Sequence, residues 1–190
     1  MKIIKKYYHW IVFAILLLEQ MVYGGLLNNL NGMFVIPVSK DFGIPRTLFS
    51  LAISLRAIFA FLSTLFSGVM KRFANNKQLM VVGIFSAAVS CLILGVSRNV
   101  AVLSVGFALM GVCEGFCMTA AVTRILTRWF HTHQGALLGA VTAGTGVGGS
   151  IICGMLTYAI EWKGWRAGFF ASGLLFFALA VLMLLLLKAS

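Results

Sequence analysis

Six apolar stretches, each about as long as a membrane-spanning helix, divide this 190-residue chain. A bilayer core needs about 20 apolar residues per helix, and short polar connections separate the stretches. The chain is 61% hydrophobic and 10% charged, whereas an ordinary soluble domain is about 25% charged. Too little polar surface is left for a water-soluble fold, so a soluble enzyme is excluded. We therefore predict an all-α, polytopic membrane protein with one six-helix domain over residues 1–190. The spans are predicted at 9–31, 47–69, 78–97, 100–125, 134–160 and 167–187.

The connection after the first span is predicted to hold both prolines of the chain, Pro37 and Pro45. Pro45 suits the entry to the second helix, because the first helical position needs no backbone N–H.

Basic residues outnumber acidic ones by 15 to 4, which gives a formal net charge of +11. In a soluble chain this charge would suggest a nucleic-acid partner. Here the basic residues are scattered over short connections, which favours a lipid bilayer and no nucleic acid. If the N-terminus is cytoplasmic, more Lys and Arg residues fall on the inner side than on the outer side. The positive-inside rule therefore predicts a multi-pass protein of the plasma (inner) membrane with both termini in the cytoplasm.

Three ionisable residues, Glu19, Arg56 and Glu114, lie deep within the first, second and fourth spans. At a rise of about 1.5 Å per residue, each falls near the bilayer centre. A charge at this depth is costly unless it is paired or faces a water-filled cavity, so such residues are functional candidates. An internal salt bridge that only holds helices together is the alternative. Both interpretations hold if Arg56 pairs with one glutamate and leaves the other free.

The first span also carries polar residues on one helical face. Gln20, Gly24, Asn28 and Asn31 recur at helical spacing, and Tyr23 lies beside them. Amide side chains are costly in lipid, so this face is expected to point into protein or water. Gln20, Tyr23 and Asn28 therefore join the candidate site for substrate and proton.

Small residues recur at helical spacing within the fifth span. This pattern is typical of close helix packing. Substrate approach to the bare backbone is the alternative interpretation. The glycines predicted to pack against other helices are Gly135, Gly139, Gly144 and Gly148.

No cofactor and no metal site is predicted. The four cysteines lie inside apolar stretches and show neither a disulfide framework nor metal-ligand spacing. His131 and His133 form an H-x-H pair, but they have no acidic or cysteine neighbours in the sequence.

The connection between the second and third spans resembles a short basic signature of the major facilitator superfamily, roughly G-x-x-x-D-R-x-G-R/K. Arg72, Phe73 and Lys77 fit this signature, and Lys71 stands where its acidic residue is expected. In the family that acid helps to latch the cytoplasmic gate. The resemblance therefore makes Lys71, Arg72 and Lys77 a candidate gating loop.

Two further motifs resemble the same superfamily. Trp129-Phe130, followed by glycines at 135, 139, 144 and 148, is similar to the segment entering helix five of monocarboxylate-type and oxalate/formate-type members. Gly164-Trp165-Arg166 before the sixth span is common across the superfamily.

The resemblance implies half of a facilitator fold, built as a 3+3 inverted repeat. It also implies that helices one and four line the central cavity, helices two and five rock beside it, and helices three and six lie outside. A full transporter has twelve helices, and this chain resembles the N-terminal half. The expected partner is a second six-helix half or a second copy of the chain.

The leading functional hypothesis is secondary active transport of a small solute by alternating access. Arg56 favours an organic anion, and Glu19 or Glu114 is placed to carry a coupled proton, as in a symporter. An aquaporin-type channel lacks its Asn-Pro-Ala half-helices here, and an intramembrane serine protease lacks its G-x-S-G motif and a deep histidine. A truncated or regulatory six-helix protein without transport of its own remains the alternative.

Overall fold

The computed structural model describes residues 2–70, 75–117, 119–130 and 132–186, with side chains described except at 2–7, 28–31 and 119–120. The described chain is helical, and six of its segments are long and apolar enough to cross a membrane. The helices are α1 (Lys2–Phe42), α2 (Arg46–Met70), α3 (Asn76–Val96), α4 (Val100–Cys117), α5 (Thr119–Trp129), α6 (Gln134–Lys163) and α7 (Trp165–Leu186). The fourth candidate span, Val100–Trp129, contains both α4 and α5. The all-α, six-span prediction is confirmed.

The helices pack in the pattern of an inverted repeat. α1 lies against α6, α2 against α4, and α3 against both α4 and α7, while α7 also contacts α6 and α1. In an inverted repeat, α1, α2 and α3 correspond to α4, α6 and α7, respectively. The α1–α6 pair then corresponds to the α4–α2 pair. By the same correspondence, the α3–α4 pair matches the α7–α1 pair, and the α3–α7 pair matches itself. Each three-span repeat therefore packs mainly against helices of the other repeat.

The first helix is longer than the sequence predicts. α1 continues past residue 31 to Phe42, so Pro37 lies inside the helix and not in a connection. A proline removes one helical hydrogen bond, but packing holds the helix together, since Phe34 stacks on Phe169 of α7 at 4.0 Å between ring centroids. The connection to α2 shrinks to residues 43–45. Gly43 enters it with φ +62°, a left-handed conformation that glycine adopts without strain.

Glycines bring α6 into direct backbone contact with α1. A Cβ atom at Gly148 would overlap the backbone of Met21, and one at Gly144 would lie 2.8 Å from the side chain of Leu17. Gly135 and Gly139 are exposed, with no atom within 4 Å of a Cβ position. With about 3.6 residues per turn, residues 135 and 144 lie on opposite faces of the helix. The packing predicted for Gly135 and Gly139 is therefore not made by the described helices.

The α2–α4 pair is formed in the same way, with the glycines on α4. A Cβ atom at Gly111 would overlap the backbone oxygen of Arg56, and one at Gly115 would overlap the hydroxyl of Ser63. The Ser63 hydroxyl also donates a hydrogen bond to the Gly111 carbonyl at 3.2 Å. The G-x-x-x-G spacing of these glycines is the sequence signal for such a contact.

A polar cluster joins the end of α1 to the start of α7. Asp41 Oδ2 accepts a hydrogen bond from Trp165 Nε1 at 3.2 Å and lies 3.0 Å from Arg166 Nη1. The Arg166 guanidinium also stacks 4.3 Å from the centre of the Trp165 ring. The Gly164-Trp165-Arg166 motif therefore serves to dock the entry of α7 on the extended first helix.

Replacing Gly148 by alanine tests the close α1–α6 contact. The added Cβ meets backbone that cannot rotate away, so we expect the free energy of unfolding to fall by about 1–3 kcal/mol. Gly146→Ala is the matched control, because a Cβ there meets nothing within 4 Å. The measurement is thermal unfolding of both purified variants in mild detergent. Equal midpoints for the two variants would contradict the described contact.

Candidate functional site

Arg56 of α2 and Glu114 of α4 form an ion pair, with Arg56 Nε and Glu114 Oε2 3.1 Å apart. The side chains are 14% and 30% exposed, respectively. Each residue lies near the middle of its candidate span. Glu114 Oε2 is buried and takes part in no well-aligned hydrogen bond, so the contact is an electrostatic pair by distance. Its two charges neutralise each other at mid-depth.

Arg56 also reaches the first helix. Its Nη1 donates a hydrogen bond to the backbone carbonyl of Leu27 in α1 at 2.9 Å. A helical carbonyl has a second lone pair that is free to accept such a bond. One guanidinium therefore connects three helices, and its other N–H groups complete a planar fork that suits carboxylate or phosphate oxygens.

Glu19 of α1 is separate from this ion pair and fully buried. Its Oε2 accepts a hydrogen bond from Gln20 Nε2 at 3.0 Å. Its Oε1 has no hydrogen-bond partner among the described residues. Arg56 is thus paired with one glutamate while the other keeps an amide partner inside the bundle.

Tyr23 connects the two acidic positions. Its hydroxyl donates to the backbone carbonyl of Glu114 at 3.5 Å, a long hydrogen bond. The phenol also lies close enough to Glu19 and Glu114, and to the thiols of Cys113 and Cys117, for electrostatic interaction. The polar faces of α1 and α4 therefore meet at one level of the bundle.

The remaining predicted residues lie elsewhere. Lys71 and Arg72 of the predicted gating loop, and the side chain of Asn28, are outside the described residues. Lys77 lies at the start of α3, where its Nζ donates to the carbonyl of Leu184 at 2.8 Å. It therefore caps the end of α7, where backbone carbonyls lack intrahelical partners.

Three contributors to the site were not predicted. The Leu27 carbonyl carries no side-chain signal, so sequence reasoning had no means of finding it. Gly111 and Gly115 did carry one, in the G-x-x-x-G spacing around Glu114. They bring α2 close enough to α4 for Arg56 to reach Glu114.

The arrangement is suited to reversible binding of an anion. A guanidinium neutralised by one partly accessible carboxylate exchanges that partner for another oxyanion at small cost in charge. Within the described residues, no group of three or more His, Cys, Asp or Glu side chains is placed to hold a metal ion.

A double-mutant cycle tests the ion pair. Arg56→Gln and Glu114→Gln each leave one charge unpaired at mid-depth, whereas the double variant leaves none. We expect a coupling of about 0.5–3 kcal/mol in the free energy of unfolding. The control cycle combines Arg56→Gln with Glu19→Gln and is expected to be additive. If the first cycle is additive within about 0.5 kcal/mol, the two charges do not interact in the folded protein.

Comparison with known proteins gives one family and several distant relatives. A family model described as Major Facilitator Superfamily matches residues 13–190. The chain is 24% identical over 158 residues to "Uncharacterized MFS-type transporter YcxA" of Bacillus subtilis (strain 168), which covers 83% of this chain and 39% of that protein.

A "Probable hexose phosphate transport protein" of Chlamydia pneumoniae is 22% identical over 124 residues, covering 65% of this chain and 27% of that protein. Its counterpart in Chlamydia trachomatis is 24% identical over 115 residues, covering 60% and 25%. The chain thus spans less than half the length of these relatives.

Proposed function

Because the chain belongs to the major facilitator superfamily, we propose that it forms half of a secondary active transporter that moves a small solute by alternating access. The observation that supports this most directly is the Arg56–Glu114 pair, 3.1 Å apart at the middle of two spans. A costly charge pair with partial access is the feature expected of a transport pathway. A purely structural pair would be better shielded.

The proposed solute is an organic anion that travels with a proton. A proton on Glu114 removes its negative charge and releases Arg56. The guanidinium then binds a carboxylate or phosphate oxygen of the solute through two parallel N–H donors. Glu19 is the second candidate for the coupled proton, because burial penalises the charged form of a carboxyl group.

Phosphorylated sugars are the first solutes to test. The Chlamydia relatives are described as hexose phosphate transport proteins, and a sugar phosphate has both the anionic group for Arg56 and hydroxyl groups for Gln20 and Tyr23. The proposed setting is the plasma (inner) membrane, with both termini in the cytoplasm.

The proposed partner is a second six-helix half or a second copy of the chain. Six helices supply one wall of a facilitator cavity, so the other wall needs another unit. The exposed glycines of α6, among them Gly135 and Gly139, let a helix of that unit approach closely. The packing predicted for Gly135 and Gly139 would then be made with the partner, while Gly144 and Gly148 pack against α1.

Uptake into proteoliposomes tests the coupling. With the chain and its partner unit reconstituted, we expect an acidic exterior to increase uptake of labelled glucose 6-phosphate, but not of glucose. Glu114→Gln and Glu19→Gln should each abolish the effect of the pH gradient. Arg56→Gln should lower uptake about tenfold or more, equivalent to about 1.4 kcal/mol of binding.

Glu161→Gln is the matched control, since Glu161 is an exposed acid at the end of α6. It should leave the pH dependence unchanged. Unaltered proton coupling in both Glu19→Gln and Glu114→Gln would remove the coupling assignment. If the chain stays a strict monomer in nanodiscs and takes up no solute with any partner, a regulatory or truncated six-helix protein is the better description.

A further inference from the structure

We infer that the six-span unit consists of two bodies that part at the charged site during the transport cycle. One body contains α1, α6 and α7, and the other contains α2, α3 and α4. The short helix α5, which completes the fourth span, contacts helices of both bodies. The inference takes its trigger, the exchange of partners at Arg56, from the proposed function. It adds that movement occurs inside this unit as well as between units.

Each body is held together by close contacts. In the first, Gly148 lies against the backbone of Met21, and Gly168 of α7 leaves room for the ring of Phe34 in α1. Helices in such close contact have little freedom to slide past each other, because a small displacement would make their atoms overlap.

The second body is held in the same way. Gly111 lies against the backbone of Arg56, and Gly115 against Ser63. The Ser90 hydroxyl of α3 donates to the Gly106 carbonyl of α4 at 2.7 Å in the buried interior. Here a hydrogen bond adds to the close approach of the helices.

The boundary between the bodies has a different character at its front and its back. At the front, α1 faces α2 and α4. Polar contacts there include the bond from Arg56 to the Leu27 carbonyl at 2.9 Å and the longer bond from Tyr23 to the Glu114 carbonyl at 3.5 Å. α1 and α2 have few contacts with each other, whereas α1–α6 and α2–α4 are the most extensive pairs. The α3–α7 pair at the back is also extensive, more so than the contacts of α7 with α1 and α6, so the two bodies stay joined there.

At the back, α3 and α7 meet mainly through apolar residues, apart from the hydrogen bond from Lys77 to the Leu184 carbonyl where α3 begins and α7 ends. Gly173 of α7 leaves a Cβ position 3.2 Å from Cys91 of α3, and Gly95 of α3 lies against the ring of Phe170. An apolar groove of about 460 Å³ lies beside this contact and is lined by Phe85 and Phe177 among others. Apolar contacts of this kind have no directional bonds to break, so the back of the boundary is suited to act as the hinge.

The end of the bundle where α1 begins and α7 ends is also closed. Tyr8 of α1 packs edge-on against Trp129 at the end of α5, with 4.9 Å between ring centroids. Phe13 lies against Phe130 at 6.3 Å. Opening therefore occurs toward the opposite end, where α2 and α4 begin and α6 ends.

The trigger lies on this boundary. Glu114 is paired with Arg56 from α2, and its backbone carbonyl accepts the long hydrogen bond from Tyr23 of α1. Glu19 of α1 and the thiols of Cys113 and Cys117 lie near Tyr23. The Arg56–Glu114 pair lies within the second body, so its loss does not by itself open the boundary. A proton on Glu114 frees Arg56 to turn toward an anion, and Arg56 then leaves the Leu27 carbonyl, which is its bond across the front.

Distances between paired spin labels test the inference on the full chain in nanodiscs. The background is Cys153→Ser, because the other three thiols are buried. Leu51 of α2 and Met155 of α6 report across the boundary. Met155 with Leu174 of α7, and Leu51 with Val105 of α4, report within each body, and all four positions are exposed.

We expect the Leu51–Met155 distance to change by about 2 Å or more between pH 8 and pH 5, as in other helix shifts. Both pairs within a body should stay constant. In Glu114→Gln the cross-boundary distance should no longer respond to pH, and the constant pairs show that this variant is folded.

No change in any pair would overturn the inference, since the unit then moves as one block. Equal changes in all three pairs would also overturn it, since the two bodies are then not rigid. The measurement requires no transport. A pH-dependent change at the boundary without solute uptake would remove the proposed function and leave the two-body inference standing. Solute uptake with distances that do not change with pH would support the proposed function and remove the two-body inference.

Discussion

A guanidinium in the middle of a bilayer must find its partners within the protein, because lipid supplies neither counterions nor hydrogen bonds. Arg56 meets this constraint through Glu114 on α4 and the Leu27 carbonyl on α1. At the first of these contacts, α2 and α4 approach more closely than ordinary side chains allow. The glycines at 111 and 115 provide that approach on one side of the site. The charged site and the small residues around it are therefore one structural solution.

The depth of the charged residues could be predicted from the sequence, but their pairing could not. Span length and helical rise place Glu19, Arg56 and Glu114 near the bilayer centre. The choice of Glu114 as the partner of Arg56 depends on the rotation of each helix about its axis and on which helices are neighbours. Both depend on packing between segments that are distant in the sequence, and the apolar periodicity of a single helix does not predict them.

Two differences show where local patterns fall short. The proline at 37 indicates a break, yet the stacking of Phe34 on Phe169 keeps α1 helical to Phe42. Glycines at 135 and 139 share a motif with those at 144 and 148, yet the two pairs face opposite sides of α6. In the first case a contact with a distant part of the chain accompanies the longer helix. In the second, helical spacing separates the two pairs, but only the packing shows that Gly144 and Gly148 face α1.

The crossed pairing of the two repeats has a consequence for biosynthesis. α2 leaves the ribosome before α4 exists, and α1 before α6, so neither early helix finds its main neighbour when it first enters the membrane. Arg56 and Glu19 must therefore be accommodated at the translocon or in the early bilayer without their final surroundings, at a cost of about 2.5–3.5 kcal/mol for each charge on insertion scales. Synthesis of the later helices relieves that cost, which makes assembly of this unit a late, concerted step.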